Sequence, residues 1–204
     1  MKSPTLKLEN KLRKQNYKYI AGIDEAGRGA LAGPVVVAVV IMDCKSKINN
    51  YGIKDSKLLT PKRREKLFKT IIKTALAWKT EKISEKMIDK IGIVQAVKRA
   101  TEKALEKLKI KPDYILADRG INLDRIKIPY QSITHGDTEV FSIACASILA
   151  KVTRDKLMIK LDKKYSKYGF AQHKGYGTEK HIKAIRKYSP CPIHRKSFAP
   201  IRSL

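Results

Sequence analysis

The stretch Tyr17-Lys18-Tyr19-Ile20-Ala21-Gly22-Ile23-Asp24-Glu25-Ala26-Gly27-Arg28-Gly29-Ala30-Leu31-Ala32-Gly33-Pro34-Val35-Val36-Val37-Ala38-Val39-Val40-Ile41-Met42 decides how this chain folds. Its two apolar, β-branched runs, Tyr17 to Ile23 and Val35 to Met42, predict strands. The second is continuous enough to be buried on both faces. Between them, Gly27, Gly29, Gly33 and Pro34 predict a sharp turn.

Downstream, Thr60-Pro61 predicts an N-cap with proline in the first helical position, and Leu67, Ile71, Ile72 and Ala75 carry a helix to about Trp78. A shorter helix starts at Ser84, and Val94 to Leu108 forms a third, striped by Val97, Ala100, Ala104 and Leu108. Strands are expected at Asp113 to Ala117 and Tyr130 to Thr134, a long helix from about Thr138 to Tyr165, and a last helix capped by Thr178 and running to about Tyr188. Strands come first and then alternate with helices, which predicts an α/β domain with a mixed sheet covered by helices. Without repeats or a linker-like segment, residues 1–204 read as one domain.

The chain has 45 Lys and Arg against 19 Asp and Glu, a formal charge of +26. The excess is uneven: residues 151–204 hold 15 basic and 3 acidic residues. Such a charge on a chain with enough apolar residues for a core implies a polyanionic partner. The longest apolar run, Leu31 to Met42, falls far short of the roughly 20 residues a bilayer span needs. Met1 to Lys18 lacks the apolar segment of a secretory signal. Cys44, Cys145 and Cys191 make no disulfide framework and read as packed thiols, and the four histidines are not spaced with them as a zinc site. The expectation is a cytoplasmic protein.

The few acids fall where a basic protein has least use for them. Asp24-Glu25 follows the first strand, Asp118 follows Tyr114-Ile115-Leu116-Ala117, and Asp137 lies between a strand and the long helix, where α/β folds place ligand-binding groups. Each alone has a plainer reading, Asp24 and Asp118 as turn residues and Asp137 as a helix cap. If the four converge, mutual repulsion at about 4 Å is on the order of 4 kcal/mol per pair, so they need cations, and carboxylate oxygens without His or Cys select Mg²⁺ or Mn²⁺.

Gly22-Ile23-Asp24-Glu25-Ala26-Gly27-Arg28-Gly29, Leu31-Ala32-Gly33-Pro34-Val35, Asp55-Ser56-Lys57, Ala146-Ser147-Ile148-Leu149-Ala150-Lys151-Val152-Thr153-Arg154-Asp155, His173-Lys174-Gly175-Tyr176-Gly177-Thr178 and His194-Arg195 resemble bacterial type 2 ribonuclease H, ribonuclease HII, in order and spacing from about residue 19 to 200. The resemblance implies a ribonuclease H-like fold, a mixed central sheet flanked by helices, with a helical substrate-binding extension from about 156 to 204. It implies endonucleolytic cleavage of RNA paired with DNA or embedded in it, leaving a 3′-hydroxyl and a 5′-phosphate. By motif position it assigns Asp24, Glu25, Asp118 and Asp137 to two divalent ions, Mg²⁺ or Mn²⁺. It further assigns Gly27, Arg28 and Gly29 to the ribose 2′-hydroxyl, Tyr176 to the sugar at the RNA-to-DNA junction, and Lys57 and Lys174 to phosphates.

Three residues depart from the family pattern: Ala30 for proline, His135 for lysine, and Arg119 between Asp118 and Gly120. Asp155 is expected to pair with a neighbouring base. Type 3 ribonuclease H shares the fold but adds an N-terminal domain for which the residues before Asp24 are too few. A non-catalytic basic nucleic-acid-binding protein accounts for the charge but not for acids at strand ends. A monomer is expected; a sliding-clamp partner is left open, since Pro200 to Leu204 is short and not a clear binding motif.

Overall fold

The computed structural model describes residues 3–43, 52, 53, 56 and 59–203. Lys57, Asp55 and Cys44 lie outside them. In chain order the elements are α1 (Lys7–Lys14), β1 (Ile20–Ala26), β2 (Val35–Met42), α2 (Pro61–Thr74), β3 (Ala75–Ile83), α3 (Glu85–Ile91), α4 (Ile93–Glu106), β4 (Tyr114–Asp118), β5 (Tyr130–Ile133), α5 (Gly136–Glu139), α6 (Phe141–Lys164), α7 (Phe170–His173) and α8 (Glu179–Tyr188). The strands form one mixed sheet in the order β3-β2-β1-β4-β5. β2 pairs antiparallel with β1 and β3, whereas β4 runs parallel to β1 and β5.

Every residue of β2 is buried. With a side-chain period of two, Val35, Val37, Val39 and Ile41 face one side, packing with Ala96, Val97, Ala100 and Ala104 of α4. Val36, Ala38, Val40 and Met42 face the other, against Leu67 and Ile71 of α2 and Ala144, Cys145, Ile148 and Leu149 of α6. The unbroken apolar run is thus a strand enclosed by helices on both sides, as expected. Beyond the sheet, the C-terminal helical part closes on the turn after β1: Ala32 packs with Met158, Tyr168, Phe170 and Ile193, and Leu31 with Ile185 and Ile201.

Three expectations are corrected. The helix starting at Pro61 ends at Thr74 rather than Trp78, because Ala75 turns extended (φ −68°, ψ 139°) and opens β3, an edge strand that was not expected. Its pairing with β2, from Val35 opposite Ile83 to Val40 opposite Trp78, overrides the helical spacing that Ile71, Ile72 and Ala75 continue. The long helix expected from Thr138 is two helices, broken at Val140 (φ −112°, ψ 124°). There the backbone bridges Thr5, whose N–H donates to Glu139 O at 3.0 Å and whose O accepts from Phe141 N at 3.1 Å. Finally, α1 was not anticipated. Its Leu12 is buried beside Ile20, Val140 and Ile143, and its Glu9 accepts from Ser142 N at 2.8 Å at the start of α6. Among the described residues no helix is long and apolar enough to cross a membrane.

The position of α6 depends on Gly22. A Cβ there would stand 2.2 Å from the Ser142 carbonyl carbon and 2.6 Å from Ile143 N, both backbone atoms that cannot swing aside. Replacing Gly22 with Ala therefore forces α6 off the sheet, at a cost of about 3 kcal/mol in unfolding free energy. Urea denaturation of the Gly22→Ala variant measures it, as a lower midpoint at unchanged slope.

Candidate active site

Parallel pairing of β1 with β4 places Ile23 opposite Ala117, so one residue on, Asp24 and Asp118 stand side by side at the carboxyl ends of adjacent strands. Asp24 shares the face of Gly22 and points toward α6; Glu25 leaves from the other face but reaches the same opening at the strand end. α5 follows β5 closely enough that Gly136 N–H donates to the Asp118 carboxylate at 2.9 Å, which brings Asp137 in beside it. Asp137 is buried within the first turn of α5, whose N-cap is His135, so the plainer cap reading of Asp137 does not hold. Asp24, Glu25, Asp118 and Asp137 together line one cleft of about 390 Å³, with Gly27, Arg28, Gly29, Ser56, Ser147, Lys151 and Tyr176.

The electrostatics of the cleft are those of crowded, dehydrated anions. Burial raises Asp24 well above the usual carboxylate range, and the Glu25 and Asp118 charges add to it, while hydrogen bonding to the Ser147 hydroxyl and the Glu25 amide pulls it back. Its Oδ1 accepts from Glu25 N at 2.7 Å. Burial likewise raises Glu25, opposed by Arg28, whose Nη1 lies 3.3 Å from Glu25 Oε1 and 3.0 Å from Gly120 O. Glu25 Oε2 is buried with no hydrogen-bond partner among the described residues. An orphaned oxygen in an all-oxygen acidic cleft is the donor set of a hard divalent cation. No group of three or more acids, His or Cys among the described residues is gathered closely enough to hold an ion alone.

The glycine turn is held from beneath by two fully buried arginines. Arg195 donates to the carbonyl oxygens of Gly27 (2.7 Å), Arg28 (2.8 Å) and Gly33 (2.9 and 3.0 Å). Arg154 donates to Pro34 (2.9 Å), Ala32 (3.0 Å) and Lys174 (2.9 Å). Gly27 has φ +90°, and a Cβ there would sit 1.9 Å from Arg154 Nε, so no other residue fits. Tyr176 closes the cleft with its ring 5.2 Å from the Arg154 guanidinium carbon and 5.4 Å from Lys151 Nζ.

Lys174 is not brought into the acidic cleft. It lines an adjoining groove with Arg64, Lys151, Asp155 and Lys156, and burial lowers its ammonium. Asp155 pairs as expected with neighbouring bases, Lys151 at 2.8 Å and Arg64 at 3.8 Å. Sequence reasoning assigned no role to Ser56, Ser147, Lys151, Arg154 or Arg195. The available signal was Lys151 and Asp155, one helical turn apart on α6 and facing the same groove. Cys145 is buried and Cys191 half-buried, and neither is in a disulfide.

A mixed sheet that carries acids on the carboxyl ends of neighbouring strands, beside a basic helical extension, defines a nuclease of the ribonuclease H class. Ribonuclease H2 from Pyrococcus horikoshii has this fold, with a TM-score of 0.76 and 30% identity over 91% of this chain and 96% of that one. The ribonuclease HII of a complex with PCNA from Archaeoglobus fulgidus superposes with a TM-score of 0.71, 28% identical over 83% of this chain and 87% of that one. In sequence, ribonuclease HII from Acholeplasma laidlawii is 51% identical over 98% of this chain and 96% of its own length, and that from Caldicellulosiruptor bescii 49% over 94% and 91%. The family profile for ribonuclease HII matches residues 21–201. The chain belongs to the ribonuclease HII family, and it is an enzyme acting on phosphodiester bonds.

The raised Asp24 has a consequence for stability. An acid whose folded-state value lies above its ordinary 3.8 stabilises the fold below that value and loses this contribution as pH rises through the folded one. At neutral pH the buried charge is thus a cost, and Asp24→Asn removes it. In chelator, the variant melts above the parent protein by several degrees at pH 7, at about 2–4 °C per kcal/mol. The gap closes as pH falls toward 4, in melts followed by circular dichroism.

Proposed function

We propose that this protein is an endoribonuclease that cuts RNA paired with DNA and single ribonucleotides embedded in duplex DNA, on the 5′ side of the ribonucleotide, leaving a 3′-hydroxyl and a 5′-phosphate. The observation that carries the reading is the meeting of Asp24, Glu25, Asp118 and Asp137 with the Gly27-Arg28-Gly29 turn and Tyr176 in one cleft. Membership of the ribonuclease HII family supports the substrate class.

The four carboxylates hold two divalent ions, Mg²⁺ or Mn²⁺, and the orphaned Glu25 oxygen supports that assignment. When bound, such ions supply activation of the attacking water and charge stabilisation at the leaving 3′ oxygen. The chain supplies the positioning. Glycines 27 and 29 leave the turn open to close approach by a sugar, so its backbone amides read the ribose 2′-hydroxyl, with Arg28 beside them. Tyr176 packs on the sugar next to the ribonucleotide. Lys151 and Lys174 hold backbone phosphates along the groove that joins the cleft, and Lys57 is assigned the same task by its motif. The basic residues beyond 150 carry the rest of the duplex.

Asp24→Asn and Asp118→Asn each remove an anion that holds the ions, and each is expected to lower Mg²⁺-dependent incision by at least about a thousandfold, on the scale of losing a group that acts in the transition state. Duplex affinity, read by fluorescence anisotropy, stays unchanged or rises, because the substrate is a polyanion. Full activity in either variant removes the assignment. Tyr176→Ala is expected to impair incision at a single ribonucleotide about tenfold more than cleavage of an RNA:DNA hybrid, and equal losses on the two substrates remove its role at the junction.

A further inference from the structure

Behind Tyr176, on the side away from the acids, three of the four histidines pack into one stack. The rings of His173 and His181 lie 4.2 Å apart and 18° from parallel, and His194 follows at 5.2 Å from His181. Phe170 closes the edge of all three at 5.4 to 5.8 Å, and Tyr168 lies 5.1 Å from His194. His181 and His194 are buried. Nothing in the proposed chemistry uses them.

Their hydrogen bonds favour one arrangement of protons. His181 Nδ1 is 2.9 Å from the Tyr176 carbonyl oxygen, which only accepts, so that nitrogen carries the proton. His181 Nε2 is 3.1 Å from His194 Nε2, and of two facing ring nitrogens only one can donate. The Cys191 amide donates to His194 Nδ1 at 2.8 Å, a shorter contact than the 3.2 Å from that nitrogen to the Cys191 carbonyl, which accepts from the His194 amide at 2.9 Å. His194 therefore carries its proton on Nε2 and gives it to His181 Nε2. His173 is fixed in the same way: Nε2 donates to Tyr168 O at 2.7 Å and Nδ1 accepts from Gly175 N at 3.2 Å. Each ring holds one proton, and the dry, apolar stack favours that neutral state, burial pushing His181 down to about 4.

The result is a directed line from the Cys191 amide through His194 and His181 to the Tyr176 carbonyl. We propose that His181 and His194, braced by the stacked His173, are positioning residues for Tyr176, setting its backbone so that the ring stands against the sugar in the cleft. The loop is tied at its other points too: Tyr176 N–H reaches His173 O at 3.0 Å, and Gly175 O accepts from Leu31 N at 2.8 Å, which joins it to the glycine turn. Arg154 and His173 hold the preceding Lys174 O and Gly175 N, and the Tyr176 carbonyl, which also accepts from Thr178 N at 2.8 Å, is the point that the His181 side chain holds. The inference rests on the reading of Tyr176 as the sugar contact.

The test is the ratio of single-ribonucleotide incision to RNA:DNA hybrid cleavage, measured with Mg²⁺ in the full chain. His181→Phe keeps the ring and its stacking but removes both hydrogen-bonding nitrogens, and it is expected to lower the ratio about tenfold, as Tyr176→Ala does. Adding His181→Phe to Tyr176→Ala lowers the ratio no further, because the two act through one contact. His181→Asn, whose amide can stand in for Nδ1–H, restores the ratio to within about twofold of the parent protein. Where His181→Phe fails to fold by circular dichroism, His194→Phe serves: it leaves His181 in place but takes away its Nε2 donor, and the ratio falls in the same direction. An unchanged ratio in a folded His181→Phe or His194→Phe, or a further drop on the Tyr176→Ala background, overturns the proposal while leaving the role of Tyr176 intact. An unchanged ratio in Tyr176→Ala overturns both.

Discussion

Two guanidinium groups, fully buried and bonded to backbone carbonyls, hold together the glycine turn that lines the acidic cleft. Arg154 and Arg195 between them satisfy the oxygens of Gly27, Arg28, Ala32, Gly33, Pro34 and Lys174. A turn rich in glycine has little side chain with which to make a core, and its carbonyl oxygens, once buried, need donors. The planar fork of arginine supplies several donors in fixed directions from a single side chain, which lysine does not. The cost is dehydration of two like charges close together: burial, and then Arg154, lower Arg195 to about 9. Loss of either arginine leaves several carbonyls unsatisfied and the turn without support.

The other half of the site is built by the sheet. Parallel register of β1 with β4 sets Asp24 and Asp118 level, and α6 dehydrates Asp24 by lying directly against β1, an approach that Gly22 permits. Burial that raises Asp24 is thus the same burial that lets α6 cover both β1 and β2. The overall charge of +26 does little to relieve this crowding: Arg28 pairs with Glu25 and Lys151 reaches the cleft wall, while Arg64, Lys156 and Lys174 lie along the adjoining groove. The molecule separates its charges by task, acids inside the cleft and bases along the approach to it.

Much of this was legible in the sequence because the decisive signals are local. Val35 to Met42 admits no reading but a strand buried on two faces, and the acids follow apolar runs directly, so their place at strand ends can be read without a structure. β3 was hidden because an edge strand needs apolar residues on one face only, and Ala75, Ala77 and the charged residues after Trp78 blend into the helix before them. The break at Val140 comes from pairing with Thr5, far away in the chain, and leaves no local mark. The same holds for Arg154 and Arg195: their motifs are conspicuous, but a partner that is a backbone carbonyl has no sequence signature. The histidine stack has no sequence signature, since its directionality exists only in the distances between ring nitrogens.

Asp24 stands near the start of the chain, and the residues that complete its cleft, Asp118, Asp137 and Tyr176, come from its second half. No stretch of the first hundred residues holds more than one pair of these acids, and the strand that brings the next must insert beside β1 across a long closed loop, a slow event in folding. A partly folded chain therefore carries much of its basic charge before these acids have met. The acidic cleft exists only when the sheet is complete, because its walls come from both halves of the chain.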